Sequence, residues 1–239
     1  MGLRLNTLTK NDIYNLSCFL YYDSMNLPAV VFSHFPLHFK RHCVQVGTVA
    51  GLMAKNVSKD NLPPEMIREE YANAVRYGGI YHDIGAYLVF NQREMYPDAG
   101  ERFLREQISG RKNAAAHKVI LETVQHCRER YDGQGYPDGL SGEKIPLHAS
   151  LCAIADTIDD IVTKCRKFST VPFLTDFAIV KAEQYIQKNA GMFSPEAVRC
   201  YMAARAGIRV LYNTWRKTPP FWFNSDIAPL AASIKKTIG

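Results

Sequence analysis

The chain has 239 residues, of which 47% are apolar and 22% are charged, an ordinary balance for a globular protein. This length excludes a small disulfide scaffold, and the six cysteines lack paired spacing, so we expect a reduced, cytoplasmic protein. No apolar stretch reaches the roughly 18 residues that predict a membrane span. The net charge of +6 either favours an anionic ligand such as a nucleotide or reflects only a mildly basic surface. No run of basic residues predicts a DNA or RNA groove.

Apolar residues at helical spacing dominate the chain, and no convincing alternation predicts a strand. Asn113 and Ser194 stand at expected N-cap positions, Pro63-Pro64 suit a first helical turn, and Gly85 suits a helix end. We predict an all-α fold, with a helical segment over residues 1–33, one domain over 34–215 and a tail over 216–239 packed on it. The predicted helices are Asn11–Tyr22, Leu37–Lys55, Glu65–Tyr81, Pro97–Ser109, Ala114–Arg130, Leu147–Lys164, Leu174–Asn189 and Pro195–Trp215.

One segment interrupts the helical pattern, Asp132-Gly133-Gln134-Gly135-Tyr136-Pro137-Asp138-Gly139. Glycine or proline occupies four of its eight positions, which excludes a helix interior. The interruption continues to Pro146, where the next predicted helix begins. We therefore predict a structured loop and not a flexible connector.

Several potential metal ligands stand on different predicted helices. His38 and His42 are four residues apart, on one face of a helix, and His82-Asp83 follow an apolar helix. Asp156 lies on a later helix, and Asp159 follows it by three residues. A His-Asp pair alone is weak, because this composition produces one by chance about one time in three. A mixed set of nitrogen and oxygen ligands would suit iron, manganese or zinc better than calcium.

The arrangement His42 … His82-Asp83 … Asp156 resembles the H…HD…D signature of HD-domain phosphohydrolases. The loop from Glu129 to Pro146 resembles the segment that names the HD-GYP family, and the resemblance covers roughly residues 34–198. It implies a helical HD-domain bundle in which two or three iron or manganese ions activate a water and clamp the phosphate of cyclic di-GMP.

The resemblance also implies roles for individual residues. We expect His42, His82, Asp83 and Asp156 to bind a divalent ion, with His38, Tyr96 and Cys127 as further candidate ligands. Asp83 and Asp159 are the candidate catalytic residues. The candidate substrate-binding residues are Gly135, Tyr136 and Pro137 of the loop, together with Arg128 and Arg166.

The chain departs from the family at several of these positions. The family's glutamate one turn before the first histidine is His38, and its phosphate-contacting lysine is Ala86. Its His-Pro appears as Tyr96-Pro97, and its His-His-Glu appears as Cys127-Arg128-Glu129. Tyrosinate or thiolate can bind metal, but a guanidinium has no acceptor, so it cannot be a ligand. Arg128 could place its charge where an ion would sit, and we expect one ion, or at most two, and weakened hydrolysis.

Three functions stay open at this point. The chain could be a cyclic di-GMP phosphodiesterase with one retained ion and a second held by substitutes such as His126. It could be a non-catalytic relative that binds a nucleotide or a signalling protein. It could also be a one-metal phosphohydrolase that acts on another phosphate ester, because motifs predict fold better than activity.

Overall fold

The computed structural model describes residues 35–88, 96–108, 113–167 and 174–217, so the predicted segment 1–33 and the tail beyond 217 lie outside it. This described part is helical and contains no strand, which confirms the all-α prediction. None of its helices is both long and apolar enough to cross a bilayer. The α-helices are α1 (Leu37–Ala54), α2 (Arg68–Tyr81), the single-turn α3 (Gly85–Leu88), α4 (Tyr96–Ile108), α5 (Ala114–His126), α6 (Leu147–Lys167), α7 (Leu174–Lys188) and α8 (Pro195–Lys217).

Both predicted N-caps are confirmed. The Asn113 side chain accepts a hydrogen bond from the Ala116 amide at 3.2 Å, and its backbone adopts a left-handed conformation with φ of 70°. The Ser194 hydroxyl accepts from the Ala197 amide at 3.5 Å, just before α8. A short polar side chain that satisfies a free amide of the first turn fixes where each helix begins.

One predicted helix start, at Glu65, and the predicted role of Gly85 as a helix end were wrong. Helix α2 begins at Arg68 because Ile67 has an extended backbone and its amide donates to the Glu70 carboxylate at 3.4 Å. Gly85 begins α3 and does not end α2. A Cβ at Gly85 would overlap the carbonyl oxygen of Tyr96, so glycine is required there for the close approach of α4.

Helix α5 ends at His126, four residues before its predicted end at Arg130. A turn closes here, with the Glu129 amide donating to the His126 carbonyl at 3.0 Å. Glu129 is buried and its carboxylate accepts hydrogen bonds from amides of the following loop, which is incompatible with a continued helix. The turn places Arg128 and Glu129 between the helix and the loop.

Helices α1 and α2 touch through their backbones. A Cβ at Gly79 of α2 would lie only 2.7 Å from the Gly47 Cα of α1, closer than two such atoms can approach. On the neighbouring position, a Cβ at Gly78 would lie 2.5 Å from the Thr123 Cβ of α5. Helices α6 and α8 also pack against α1. The glycines therefore allow the helix packing that brings the ends of α1 and α2 near α6.

Candidate metal centre

The structure brings His42, His82, Asp83 and Asp156 together from three elements: α1, the turn after α2, and α6. His42 Nε2 lies 3.1 Å from Asp156 Oδ1 and 3.9 Å from Asp83 Oδ2. His82 Nε2 lies 3.4 Å from Asp83 Oδ2 and 3.6 Å from Asp156 Oδ1. One oxygen of each carboxylate thus lies within 3.9 Å of both imidazole nitrogens.

His82 gives the clearest sign that this cluster fits a metal ion. The side chain is fully buried, and Nδ1 lies 2.7 Å from the Gly79 carbonyl oxygen, which can only accept, so Nδ1 carries a proton. Its other nitrogen, Nε2, is buried without a hydrogen-bond partner and faces the carboxylates. Ligand atoms of His42, His82 and Asp156 lie within 4.8 Å of one another. A backbone-anchored histidine with a free buried nitrogen is the usual form of a metal ligand.

Arg128 occupies the other side of the same two carboxylates. Its Nη2 donates to Asp83 Oδ1 at 2.8 Å, its Nη1 donates to Asp156 Oδ2, and its Nε donates to the Tyr96 hydroxyl. Each aspartate therefore presents one oxygen to the histidines and the other to Arg128. A guanidinium offers only donors, so the residues on this side do not fit a second metal ion.

Opposite charges in the cluster stabilise the ionised forms of its side chains. Burial alone would raise the pKa of Asp83, but the charges of His82 and Arg128 outweigh it and hold that pKa well below its usual range. Asp156 is also buried, and Arg128 and His42 lower its pKa in the same way. Burial lowers the pKa of His42, yet hydrogen bonds to Asp156 and Asp159 raise it to about 11. Both ligand carboxylates are therefore ionised.

Asp159 lies behind His42, so its placement does not match the predicted catalytic role. Its Oδ2 lies 2.8 Å from His42 Nδ1, and its Oδ1 accepts a hydrogen bond from the Tyr212 hydroxyl at 2.8 Å. The side chain is fully buried. Asp159 can orient the His42 ring, but it does not face the point shared by the ligands. Nothing in the sequence pointed to Tyr212, because only the packing of α8 against α6 brings it there.

The three further candidate ligands do not join the cluster. His38 is exposed on α1. The Tyr96 hydroxyl accepts from Arg128, and burial raises the pKa of Tyr96 well above its usual value, so the phenol stays protonated. Burial also raises the pKa of Cys127 to about 12, and its thiol lies 3.4 Å from the carbonyl oxygen of Val124. Tyr96 is therefore engaged by Arg128, and Cys127 by a backbone carbonyl oxygen.

His126 belongs to a second group of potential ligands, with Glu129 and Asp138. His126 Nδ1 lies 3.6 Å from Asp138 Oδ2. The Glu129 carboxylate accepts from the Asp138 amide at 2.7 Å and from the Leu140 amide at 3.0 Å. These contacts tie the loop to the end of α5, and Asp138 is exposed. These loop contacts account for Glu129, whereas His126 Nδ1 is buried without a hydrogen-bond partner.

The candidate substrate-binding loop lies beside the centre. The Tyr136 ring meets the Tyr96 ring edge to face, with centroids 6.3 Å apart, and Tyr96 in turn contacts Arg128. A Cβ at Gly135 would lie 2.5 Å from Glu129 Cα, so the chain folds back tightly on itself there. Gly135, Tyr136 and Pro137 are half-buried. Arg166 is in the last turn of α6, and its side chain lies outside the described residues.

Comparisons with known proteins agree with this picture. A family model described as an HD domain matches residues 91–193, which include Arg128 and Asp156. A cyclic di-GMP phosphodiesterase response regulator from Xanthomonas campestris is 29% identical over 174 residues, covering 66% of this chain and 41% of that protein. A cyclic di-GMP phosphodiesterase from Thermotoga maritima is 24% identical over 183 residues, covering 72% of this chain and 46% of that protein. The chain therefore spans less than half the length of these curated relatives. The resemblance inferred from the motifs is confirmed.

Proposed function

Since this chain carries an HD domain and resembles the HD-GYP phosphodiesterases, we propose that it binds a cyclic dinucleotide and hydrolyses it slowly at a centre with one divalent ion. Cyclic di-GMP is the first candidate, because the curated relatives are named for it. One observation carries the proposal: Asp83 and Asp156 each direct one oxygen to the histidines and the other to Arg128. The cluster therefore has ligands for one ion and a fixed organic cation in place of another.

His42, His82, Asp83 and Asp156 would hold the ion, and iron or manganese suits this mixture of nitrogen and oxygen ligands. When bound, such an ion would act as a Lewis acid that polarises a phosphoryl oxygen, and it would lower the pKa of a nearby water. The residues themselves supply ligand orientation. Gly79 orients His82, and Asp159 orients His42.

Arg128 can also contact the substrate phosphate. A guanidinium has five N–H donors, and three of them are directed to Asp83, Asp156 and Tyr96. One donor remains on each terminal nitrogen, and the side chain is 23% exposed. Two parallel donors match the two free oxygens of a phosphodiester. The Tyr136 loop, adjacent through Tyr96, would then contact the rest of the nucleotide.

We expect slow turnover because positive charge is missing at the position of the family's phosphate-contacting lysine. The family's lysine position is Ala86, an exposed residue in α3 that cannot stabilise charge on a phosphate. Loss of one such electrostatic donor commonly lowers the rate by about 10²- to 10³-fold. Arg128 restores only part of this stabilisation, because its charge is already shared between two carboxylates.

A second candidate is a non-catalytic cyclic dinucleotide-binding protein. Arg128 favours it, because a cation already paired with two carboxylates balances much of the cluster's charge. A one-ion phosphohydrolase acting on another phosphate ester uses the same ligands. Only turnover distinguishes the three. A cytoplasmic setting belongs to the proposal and is supported by five described cysteines, all free.

The test combines a metal count with binding and hydrolysis of cyclic di-GMP by protein purified without oxygen. Asp156→Asn removes a ligand, and Asp160→Asn is the matched control, because Asp160 is on the same helix but pairs with Lys164 at the surface. We expect the unaltered protein and Asp160→Asn to bind one ion per chain and to hydrolyse cyclic di-GMP slowly. Asp156→Asn should lose both the ion and the hydrolysis. Binding without hydrolysis would support the second candidate. Hydrolysis of a phosphomonoester alone would support the third, and absence of metal and nucleotide binding would refute the proposal.

A further inference from the structure

We infer that Tyr212 on α8 is a positioning residue for the metal centre, holding His42 in its ligating orientation through Asp159. The inference rests on the one-ion centre proposed above and adds a residue that no motif contains. It makes the last described helix, distant in sequence from His42 and His82, part of the apparatus that binds the ion.

The contacts form a continuous chain. The Tyr212 hydroxyl donates to Asp159 Oδ1 at 2.8 Å, and Asp159 Oδ2 lies 2.8 Å from His42 Nδ1. His42 Nε2, on the opposite side of the ring, lies 3.1 Å from Asp156 Oδ1 and faces the ion position. Tyr212 and Asp159 are both fully buried, so water does not compete for these hydrogen bonds.

The chemistry of Asp159 makes the orientation specific. His42 Nδ1 is directed to Asp159 Oδ2, so Nε2 is the nitrogen that faces Asp83 and Asp156, where an ion would bind. A carboxylate free to rotate would not fix the ring. The Tyr212 hydroxyl holds the second oxygen and thereby the plane of the carboxylate.

Tyr212 is itself held in place. The Trp215 ring packs against it edge to face, with centroids 5.2 Å apart and an interplanar angle of 83°. Helix α8 packs against α1, α6 and α7, so the phenol is attached to a well-supported element. A residue that fixes a ligand's orientation typically changes metal affinity by about 10- to 100-fold when it is altered.

The experiment has two measurements. One is the dissociation constant of Mn²⁺, obtained by titrating the metal-free protein. The other is the NMR signal of the His42 Nδ1 proton, recorded on the metal-free protein before Mn²⁺ is added. Tyr212→Phe keeps the ring and removes only the hydroxyl. Asp159→Asn, of nearly the same shape, tests the next link and replaces Tyr212→Phe if that variant does not fold. Tyr201→Phe is the matched control, because Tyr201 is also buried on α8 but its hydroxyl does not reach Asp159.

We expect Tyr212→Phe to weaken Mn²⁺ binding by about 10-fold or more and to shift or broaden the His42 signal. Tyr201→Phe should change neither quantity. A purely structural role would lower the melting temperature of Tyr212→Phe while leaving Mn²⁺ affinity and the His42 signal unchanged, and this result would overturn the inference. If the unaltered protein binds no Mn²⁺, the one-ion centre fails and the inference fails with it. If both proteins bind Mn²⁺ equally, only the inference fails.

Discussion

Replacing Arg128 by histidine tests whether this residue limits the number of ions. The substitution removes the cation between Asp83 and Asp156 and supplies a nitrogen ligand at the same position of the turn after α5. We expect the count of bound divalent ions to rise from one to two per chain. Cyclic di-GMP turnover should rise with it if the missing ion, and not the lysine replaced by Ala86, is the larger defect.

The cost to the metal-free protein follows from the contacts of Arg128. At about 4 Å and an effective dielectric constant of about 20, one charge pair is worth about 4 kcal/mol, and breaking a buried pair costs about 3–5 kcal/mol. The Arg128 side chain is 23% exposed to solvent, so we expect a cost of about 3 kcal/mol, the lower end of this range. A loss of about 3 kcal/mol would lower the melting temperature by roughly 6–12 °C in a chain of this size.

Elemental analysis gives the ion count, and thermal melting with and without chelator gives the stability change. Arg130→His is the control, because Arg130 pairs with Asp132 in the loop at the surface, where such a change costs less than about 1 kcal/mol. The reasoning is refuted if the unaltered protein already holds two ions beside Arg128. It also fails if a folded Arg128→His variant binds no more metal than the unaltered protein.

Three other predictions concern the support of the centre. Glu129→Gln should weaken the two hydrogen bonds that the side chain accepts from the loop and lower the free energy of unfolding by about 1–3 kcal/mol. The loop beyond residue 132 should then be cleaved faster by a protease, and an unchanged cleavage rate would contradict this. Gly79→Ala should lower the melting temperature because its Cβ would meet Gly47, whereas Gly191→Ala has open space and should not; equal melting temperatures would count against the close helix contact. Cys127, whose pKa is raised to about 12, should resist iodoacetamide at pH 8 until guanidinium unfolds the protein, as mass spectrometry would show; rapid labelling of the native state would exclude a buried thiol.

The sequence predicted the parts of this molecule that depend on local pattern. Helical spacing located the described α-helices to within a few residues, except the single-turn α3, which it did not predict. Asn113 could be recognised as a cap because capping acts over three residues. The resemblance of His42, His82-Asp83 and Asp156 to the H…HD…D signature is what predicted that these residues lie together.

Contacts between distant parts of the chain could not be predicted in this way. The sequence identified Arg128 as unable to bind metal, but only the structure shows it between two carboxylates. The early end of α5 depends on loop amides that Glu129 binds nine and eleven residues later. The placement of Asp159 behind His42 depends on the packing of α6 against α1, and its contact with Tyr212 depends on α8, which no local pattern connects to either helix.

The glycine contact between α1 and α2 has a consequence for how the proposed centre would bind an ion. Because Gly47 and Gly79 touch through backbone atoms, the spacing of these helices is fixed by main chain and not by adjustable side chains. His42 and His82 lie within two turns of that contact, so the main chain fixes the distance between the segments that carry the two histidines. The conformational entropy lost on assembling a ligand pair is then lost when the protein folds and not when metal binds. An ion that binds at the proposed centre would meet ligands that are already in place.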